Sequence, residues 1–541
     1  GTGVELHKTR IPGEVRIPEW LAEVAFVDKR GPVIVALDGL SWNVSSVEMI
    51  KTAFKRAGRR HDESAELENG YKIVDMPDML DQLWEDRPAV PVSPVITLGD
   101  DLTGESRQSK IASIRRFLEE VDCDSVLFTA LDEIAWTLNV RGSDVEYNPV
   151  VISYLLVTND DVCWFVKKPV VGKLDSETLS SFAELEADGV MIRPYDDVEL
   201  VFSGADCTEL RHLYVDPATL NWHLYKAMAS SSVKVKSGVS PIPLRKAVKN
   251  EIEISGMREA HLEDGLAMEK FLFWLETEMA SGAEIDEWDA AVKLDSLRAQ
   301  IPGYRGNSFE TISAYGPSAA LPHYVTHEVG SRKLEPRGLY LCDSGGQYLF
   351  GTTDITRTGP LGPCTDLEKE DYTLVLKGHI GLATAMFPAG TSGSQIDYAA
   401  RSPLWKFKRD FGHGTGHGVG FFLNVHEGPQ EIRHNVNSQP QLPGMISSDE
   451  PGLYREGMHG IRHENLLLCT DAGTNEFGSW RCFENLTLCH IDTAPVIADL
   501  LTDEEMAWLN AYNAEVYATL APHLPEDVAE WLKTKTLPIS E

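Results

Sequence analysis

The chain has 541 residues, enough at roughly 100–200 residues per domain for two to four domains that each bury a core. Its 49 Lys and Arg against 83 Asp and Glu leave a formal charge of −34, without a run of five basic residues. That excludes the usual nucleic-acid or anionic-membrane binder, because phosphate neutralisation needs clustered Lys and Arg. A hydrophobic share of 43% with 12 Trp belongs to a packed protein, and no stretch of about 18 apolar residues offers a membrane span.

The start, Gly1-Thr2-Gly3, lacks a methionine and reads as a cloning junction; no signal peptide is visible, so a cytoplasmic location is expected. Cysteines 123, 163, 207, 342, 364, 469, 482 and 489 form no CxxC pair and read as reduced core residues. Residues 1–92 carry a strand signal, Pro32 to Leu37, followed by a helical pattern, Val47 to Ala57. The proline-rich stretch Asp86 to Pro94 reads as a linker, since proline removes backbone donors and stiffens the chain.

Residues 93–245 form a second region. Ser106 to Glu120 has helical spacing, and strand signals follow at Ser125–Phe128, Val150–Val157 and Val162–Val166, so an α/β unit is predicted. The third region, 246–541, is predicted α+β. A helix from about Glu251 to Met279 places Met268, Leu272, Leu275 and Met279 on one face, short strands with glycine turns follow, and a helix spans Asp503 to Leu520.

Chemistry concentrates in this third region, where nine of the 16 histidines fall between 323 and 463. Leu339, Leu341 and Asp343 alternate along one strand face. Gly345-Gly346 is predicted as the turn, and Asp354, Thr356 and Thr358 alternate on the return strand, so both aspartates can face one pocket. Such carboxylates cost several kcal/mol unless paired or metal-bound. In His413-Gly414-Thr415-Gly416-His417-Gly418-Val419-Gly420 the alternating glycines are expected to let backbone approach a ligand; phosphate binding would want a lysine or a helix N-terminus, and neither follows. Glu450 in Asp449-Glu450-Pro451-Gly452 and Glu464 in Arg462-His463-Glu464-Asn465 each sit beside an apolar strand-like run. Four carboxylates and one imidazole fit a pair of cations, and oxygen-rich ligation favours Mn²⁺, Mg²⁺ or Co²⁺ over a closed Cys/His zinc site. Two such cations about 3.5–4 Å apart can share carboxylates and a bridging hydroxide, which makes hydrolysis the expected chemistry.

The order Asp343, Asp354, His417, Glu450, Glu464, within DSG, TTDITRT, HGTGHGVG, DEPG and GIRHEN, resembles the pita-bread metallopeptidases. Ala130 to Trp136, Arg141 to Asp144, Lys246 to Asn250, Val425 to Pro429 and the stretch Leu501 to Asn510 are similar to the cytosolic-type Xaa-Pro aminopeptidases. The resemblance implies an α+β fold: a pita-bread catalytic domain with a C-terminal extension (246–541), a creatinase-like α/β middle domain (93–245) and a partial N-terminal α/β domain (1–92). It implies release of the N-terminal residue from peptides with proline second, through a hydroxide bridging two metal ions. Mn²⁺ is the first choice, with Co²⁺ or Zn²⁺ as alternatives.

By the same resemblance Asp343 binds the first metal, Asp354 and Glu464 bridge, and His417 and Glu450 complete the second, with Glu450 as proton acceptor. His323 and His426 contact substrate and stabilise the tetrahedral intermediate; His413, Tyr454 and Arg462 line the pocket. The implied partners are Xaa-Pro peptides and a second copy in a homodimer, without nucleic acid or membrane. The chain departs from the family in its short first domain, where nothing matches a substrate-contacting arginine, and at His463, expected to be an exposed neighbour of Glu464. A prolidase-type dipeptidase and a non-catalytic peptide-binding module are the alternatives, the second disfavoured because all five ligands are present.

Overall fold

The computed structural model describes residues 14–25, 31–64, 66–67, 69–76, 78–167, 176–202 and 210–540, with Gly3 and Leu6 besides. Cys207 lies outside the described residues; Cys123, Cys342, Cys364, Cys469, Cys482 and Cys489 are free thiols. Among the described residues no helix is long and apolar enough to cross a membrane.

The chain divides into two compact units. The first comprises 1–97, 107–144 and 151–241. In it a parallel sheet joins Val33–Leu37, Gly70–Asp75 and Arg60–His61. The neighbouring helix, Val44–Arg56, starts earlier than its apolar pattern because the Asn43 side chain accepts the Ser46 N–H. A mixed six-stranded sheet runs in the order Lys234–Ser237, His212–Val215, Ser125–Phe128, Ser153–Thr158, Val162–Val166, Val190–Pro194. Its fourth member begins at Ser153 rather than Val150, because the Ile152 N–H is taken by the Asp144 carboxylate instead of a strand partner. Residues from Ala22 to Ile73 and from Leu127 to Met228 share one hydrophobic cluster, so the short first sheet leans on the larger one.

The second unit comprises 98–106, 145–150 and 242–541 and is α+β, as predicted. Its long helix, Glu251–Ser281, opens with a reciprocal cap between Asn250 and Glu253. Met268, Phe271 and Leu275 from this helix pack with Tyr340, Cys342 and Ile355. Because strand neighbours point to opposite faces, that burial turns Leu339, Leu341 and Asp343 away from the helix. Leu339–Ser344 is the centre of an antiparallel trio with Ile312–Tyr315 and Ile355–Pro360. A six-stranded sheet runs Phe387–Pro388, Gly478–Asn485, Asn465–Asn475, Ile446–Asp449, Gly416–Gly418, Glu427–Ile432. Gly452–Arg455 and His459–Arg462 form a separate ribbon, and the helices Asp503–Leu520 and Glu526–Lys535 close the chain.

Two local expectations are corrected. Gly345-Gly346 is not the turn: the chain continues through Gly346–Tyr348, reverses at Leu349-Phe350 and returns through Gly351–Thr352. Gly345 is required because a Cβ there would collide with Thr353 O and Ser308 Oγ. His463 is not exposed but fully buried, edge-on to Tyr372 with ring centroids 4.5 Å apart. With Glu464 turned one way, its neighbour points the other way, onto the helix Asp366–Ala383 that carries Tyr372.

Candidate metal centre

Asp343 reaches the pocket from the middle strand of the trio, opposite Thr356, and Asp354 precedes the return strand Ile355–Pro360. His417 lies on Gly416–Gly418, Glu450 just after Ile446–Asp449, and Glu464 between His459–Arg462 and Asn465–Asn475. The glycines around His417 serve neighbouring strands rather than a ligand. A Cβ on Gly416 would collide with Ser448 O, and one on Gly418 would crowd Glu427 O.

These five side chains converge. His417 Nε2 lies 3.5 Å from Asp354 Oδ2 and 3.4 Å from Glu450 Oε1. Donor atoms of Asp354, His417 and Glu464 all lie within 4.8 Å of one another, a set able to hold a metal ion. Asp343 and Glu450 complete the group, within electrostatic range of each other and of Asp354 and Glu464. The His417 Nδ1–H donates to Gly418 O at 2.9 Å, which fixes the tautomer and leaves Nε2 facing the carboxylates. Ser448 orders the same corner. Its hydroxyl accepts the His417 N–H at 3.0 Å and donates to Glu450 Oε1 at 3.2 Å.

The electrostatics show why the cluster suits cations. Burial raises the Asp343 carboxyl, the Arg462 guanidinium opposes that rise, and Asp354 adds to it. Burial pushes Glu450 up to about 7, with neighbouring Asp354 and Asp343 adding to the rise against His417 and Arg462. Glu464 is raised well above the usual range by burial and by Asp354, Glu450 and Asp343. Among the described residues, buried Asp343 Oδ1 has no hydrogen-bond partner. Crowded carboxylates, an orphaned oxygen and an oriented imidazole nitrogen are the donor set of a divalent-cation site.

One chain of hydrogen bonds lines the wall. Arg462 pairs with Asp343 Oδ2, and its Nη1–H donates to Tyr454 Oη at 2.6 Å. His413 Nδ1 faces Gly414 O at 2.7 Å and therefore carries the proton, so Nε2 accepts from the Tyr454 hydroxyl at 2.8 Å. Burial, then Arg462, drive the His413 pKa down to about 3, which keeps this imidazole neutral. Tyr454 and Arg462 share one face of the ribbon, in which Tyr454 pairs with Gly460 and Gly452 with Arg462.

His426 stands edge-on to His417 at 4.2 Å and is exposed. His323 is exposed too, within electrostatic range of both His413 and His426. Its loop is tied in through Pro322 O, which accepts from Arg462 Nη2 at 3.4 Å, and Gly460 permits the segment Gly316–Ala320 to pack against the ribbon. All ten residues singled out in the sequence thus surround one pocket.

Several participants were not singled out as such. Thr356 Oγ1 donates to Glu464 Oε2 at 2.7 Å and accepts from Arg462 Nε at 3.1 Å; its alternation with Asp354 was the available signal. Behind His426, buried Glu427 takes Lys246 Nζ at 2.7 Å and Lys249 Nζ at 2.6 Å. That triad explains why the Lys246 to Asn250 and Val425 to Pro429 stretches occur together.

Residues 255–471 match metallopeptidase family M24, 86–253 the creatinase/prolidase N-terminal domain, and 479–539 the C-terminal region of peptidase M24. The chain is 36% identical over 557 residues to a probable Xaa-Pro aminopeptidase P of Tuber melanosporum, covering 99% of this chain and 86% of the relative. Aminopeptidase P1 of Arabidopsis thaliana is 38% identical over 521 residues, covering 87% of this chain and 80% of the relative. A crystal structure of X-prolyl aminopeptidase from Caenorhabditis elegans, described as a cytosolic enzyme with a di-nuclear active site, superposes with a TM-score of 0.88. It is 35% identical and covers 99% of this chain and 85% of its own. An Xaa-Pro dipeptidase from Bacillus anthracis shares the fold alone, at a TM-score of 0.56 and 24% identity over 72% of this chain and 99% of its own. With its cluster of carboxylates and histidine and its full-length relatives, this chain belongs to metallopeptidase family M24, on the Xaa-Pro aminopeptidase P branch.

Proposed function

We propose that this protein is a metal-dependent Xaa-Pro aminopeptidase, releasing the N-terminal residue from peptides whose second residue is proline. The observation that carries this reading is the convergence of Asp343, Asp354, His417, Glu450 and Glu464, with Asp343 Oδ1 unpartnered and the His417 Nδ1–H engaged by Gly418. Those five would hold two divalent cations, Mn²⁺ first and Co²⁺ or Zn²⁺ as alternatives. Asp343 would serve one cation, His417 and Glu450 the other, and Asp354 and Glu464 would be shared between them. When bound, the cations make water a stronger acid and polarise the scissile carbonyl.

The rest is the work of the chain. Glu450 takes the proton from the attacking water and passes it to the leaving proline nitrogen. His323 and His426, on the open side of the pocket, donate hydrogen bonds to the oxyanion, a contribution of about 3–4 kcal/mol per lost donor in comparable sites. The neutral His413, Tyr454 and Arg462 hold the inner wall, and Arg462 keeps Asp343 aligned. Because the substrate's proline nitrogen has no hydrogen, a pocket that asks for no donor at that bond suits it.

We take the working protein to be a cytoplasmic homodimer with domains at 1–92, 93–245 and 246–541. The family matches at 86–253 and 255–471 support the division near residue 250, and the cytosolic description of the nematode relative supports the location. Incubating the Mn²⁺-loaded protein with an Xaa-Pro-Xaa tripeptide tests the activity. Free N-terminal amino acid is expected, with Xaa-Pro dipeptides cleaved much more slowly. A preference for the dipeptide makes it a prolidase, and no release from either substrate defeats the assignment.

A further inference from the structure

The segment 486–492, which follows the strand Gly478–Asn485, passes along the long helix Glu251–Ser281 and brings three different donors together. Glu269 on the helix and Cys489 and His490 on the segment are all buried, and one donor atom from each lies within 4.8 Å of the other two. His490 Nδ1 is 2.8 Å from Glu269 Oε2, and the His490 backbone N–H donates to Oε1 at 2.7 Å. The imidazole stands edge-on to Trp531 at 5.3 Å. It also lines a cavity of about 480 Å³, together with Leu272, Leu275, Met279, Trp531 and Lys535. None of the three donors contributes to the M24 pocket.

A carboxylate at zero exposure beside an apolar cluster that includes Met268, Phe271 and Leu275 calls for a strong partner. Sulfur, nitrogen and oxygen donors meeting in one small sphere suit a borderline cation such as Zn²⁺, whereas Mg²⁺ and Ca²⁺ prefer oxygen throughout. Zinc–ligand distances of about 2.0–2.3 Å in tetrahedral array place ligand atoms roughly 3.3–3.7 Å apart. The 2.8 Å His490–Glu269 contact would have to open by about half an ångström, and the Cys489 sulfur, which lies within 4.8 Å of both partners, would have to settle at ligand distance. Of the three donors only His490 lines the cavity, so that is the side from which a cation would enter.

We propose that Glu269, Cys489 and His490 form a third, zinc-type cation site, separate from the two-cation pocket, that staples segment 486–492 to the long helix. On binding, the Cys489 thiol releases its proton to solvent, the proton held between His490 Nδ1 and Glu269 moves to Nε2 of the ring by exchange with solvent, and the cation takes the place of that hydrogen bond. Only the backbone of this segment, which a side-chain change at Cys489 leaves in place, connects onward to the peptidase pocket. Cys489 O accepts from Arg357 Nη2 at 2.7 Å, and Arg357 Nη1 donates to Glu464 O at 2.7 Å.

Cobalt is a suitable probe, because the M24 pocket offers no sulfur and a thiolate-to-cobalt charge-transfer band can arise only at a cysteine-containing site. Metal-free full-length protein is titrated with Co²⁺ while absorbance and bound metal are followed. Three equivalents are expected, one of them bringing the band. Cys489→Ser is expected to keep two equivalents and peptidase activity, to lose the band, and to show no zinc-dependent rise in thermal midpoint beyond the two-equivalent form. Absence of the band in the unsubstituted protein overturns the proposal whether or not the variant folds, and so does a band that survives in Cys489→Ser. If the peptidase pocket failed to bind two cations, the count would drop while the band remained, so the two readings fail separately.

Discussion

The hydroxyl of Thr356 and the carboxylate of Glu464 stand 2.7 Å apart, although 108 residues separate them in the chain. The hydroxyl donates to Oε2 and leaves Oε1 free of that bond. Thr356→Val preserves shape and removes the donor. Metal affinity and kcat/KM are expected to fall about 10–100-fold, as for other partners that orient ligands. Stability is expected to change by about 1 kcal/mol. Equilibrium dialysis of Mn²⁺ beside peptide turnover measures both, and unchanged affinity would remove Thr356 from the metal platform.

Asp354 sits among Asp343, Glu450 and Glu464, and each of those carboxyls feels its negative charge. Asp354→Asn is therefore expected to abolish turnover; in the metal-free fold it relieves repulsion on three carboxyls and forfeits the ion pair with His417 Nε2 at 3.5 Å, for a net stabilisation of at most about 1 kcal/mol. Thermal melts in chelator report the second effect. A variant that melts lower than the parent without metal contradicts the like-charge reading.

The pH dependence of metal stabilisation has a definite sign. Burial raises Glu450 from 4.5 to about 7, and Asp343 and Glu464 are raised as well. A carboxyl raised in the fold stabilises the metal-free protein most below its unfolded pKa, and that stability is lost as pH rises through the folded pKa. Cations need the deprotonated forms, so binding near neutrality releases protons. The gap in thermal midpoint between Mn²⁺-loaded and chelated protein should widen from about pH 5.5 to about pH 8. A gap that narrows over that range contradicts the assignment.

The Lys246–Glu427–Lys249 triad is buried throughout. Glu427→Gln leaves two cations facing one another in the interior and should cost about 3–5 kcal/mol. Lys249→Met leaves one matched pair and should cost distinctly less. Because Glu427 adjoins His426, the milder variant is also expected to lower kcat/KM by misplacing that imidazole. Urea denaturation ranks the two variants, and the reverse order would show that the triad is held by something other than charge balance.

His463 is fully buried, and among the described residues neither ring nitrogen has a hydrogen-bond partner. Its pKa is driven well below the usual value by burial, so it is a neutral, unsatisfied polar ring. His463→Leu should stabilise the protein by about 1–3 kcal/mol with activity retained. Thermal melts and turnover on one preparation decide the point; destabilisation would mean that the ring is needed for more than filling space.

What the sequence disclosed followed from periodicity and local chemistry. Period-two alternation put Leu339, Leu341 and Asp343 on one strand face, and the five ligand types stood out because carboxylates beside apolar runs need a reason. What it hid depended on contacts distant in the chain. Gly345 looked like a turn residue because only the fold brings Thr353 O against it. His463 looked solvated because its position beside an acidic residue says nothing of Tyr372 on a later-packing helix face. The Lys246 and Lys249 pairings with Glu427 span some 180 residues, and no local pattern encodes such a distance.

Arg462 gives the pocket a permanent countercharge, fixed to Asp343 on one side and leading through Tyr454 to His413 on the other. A cradle that carries its own cation need not wait for metal before it closes around its acids. Part of the repulsion among the acids is thereby offset within the chain itself, which lowers the cost of bringing them together before any ion arrives.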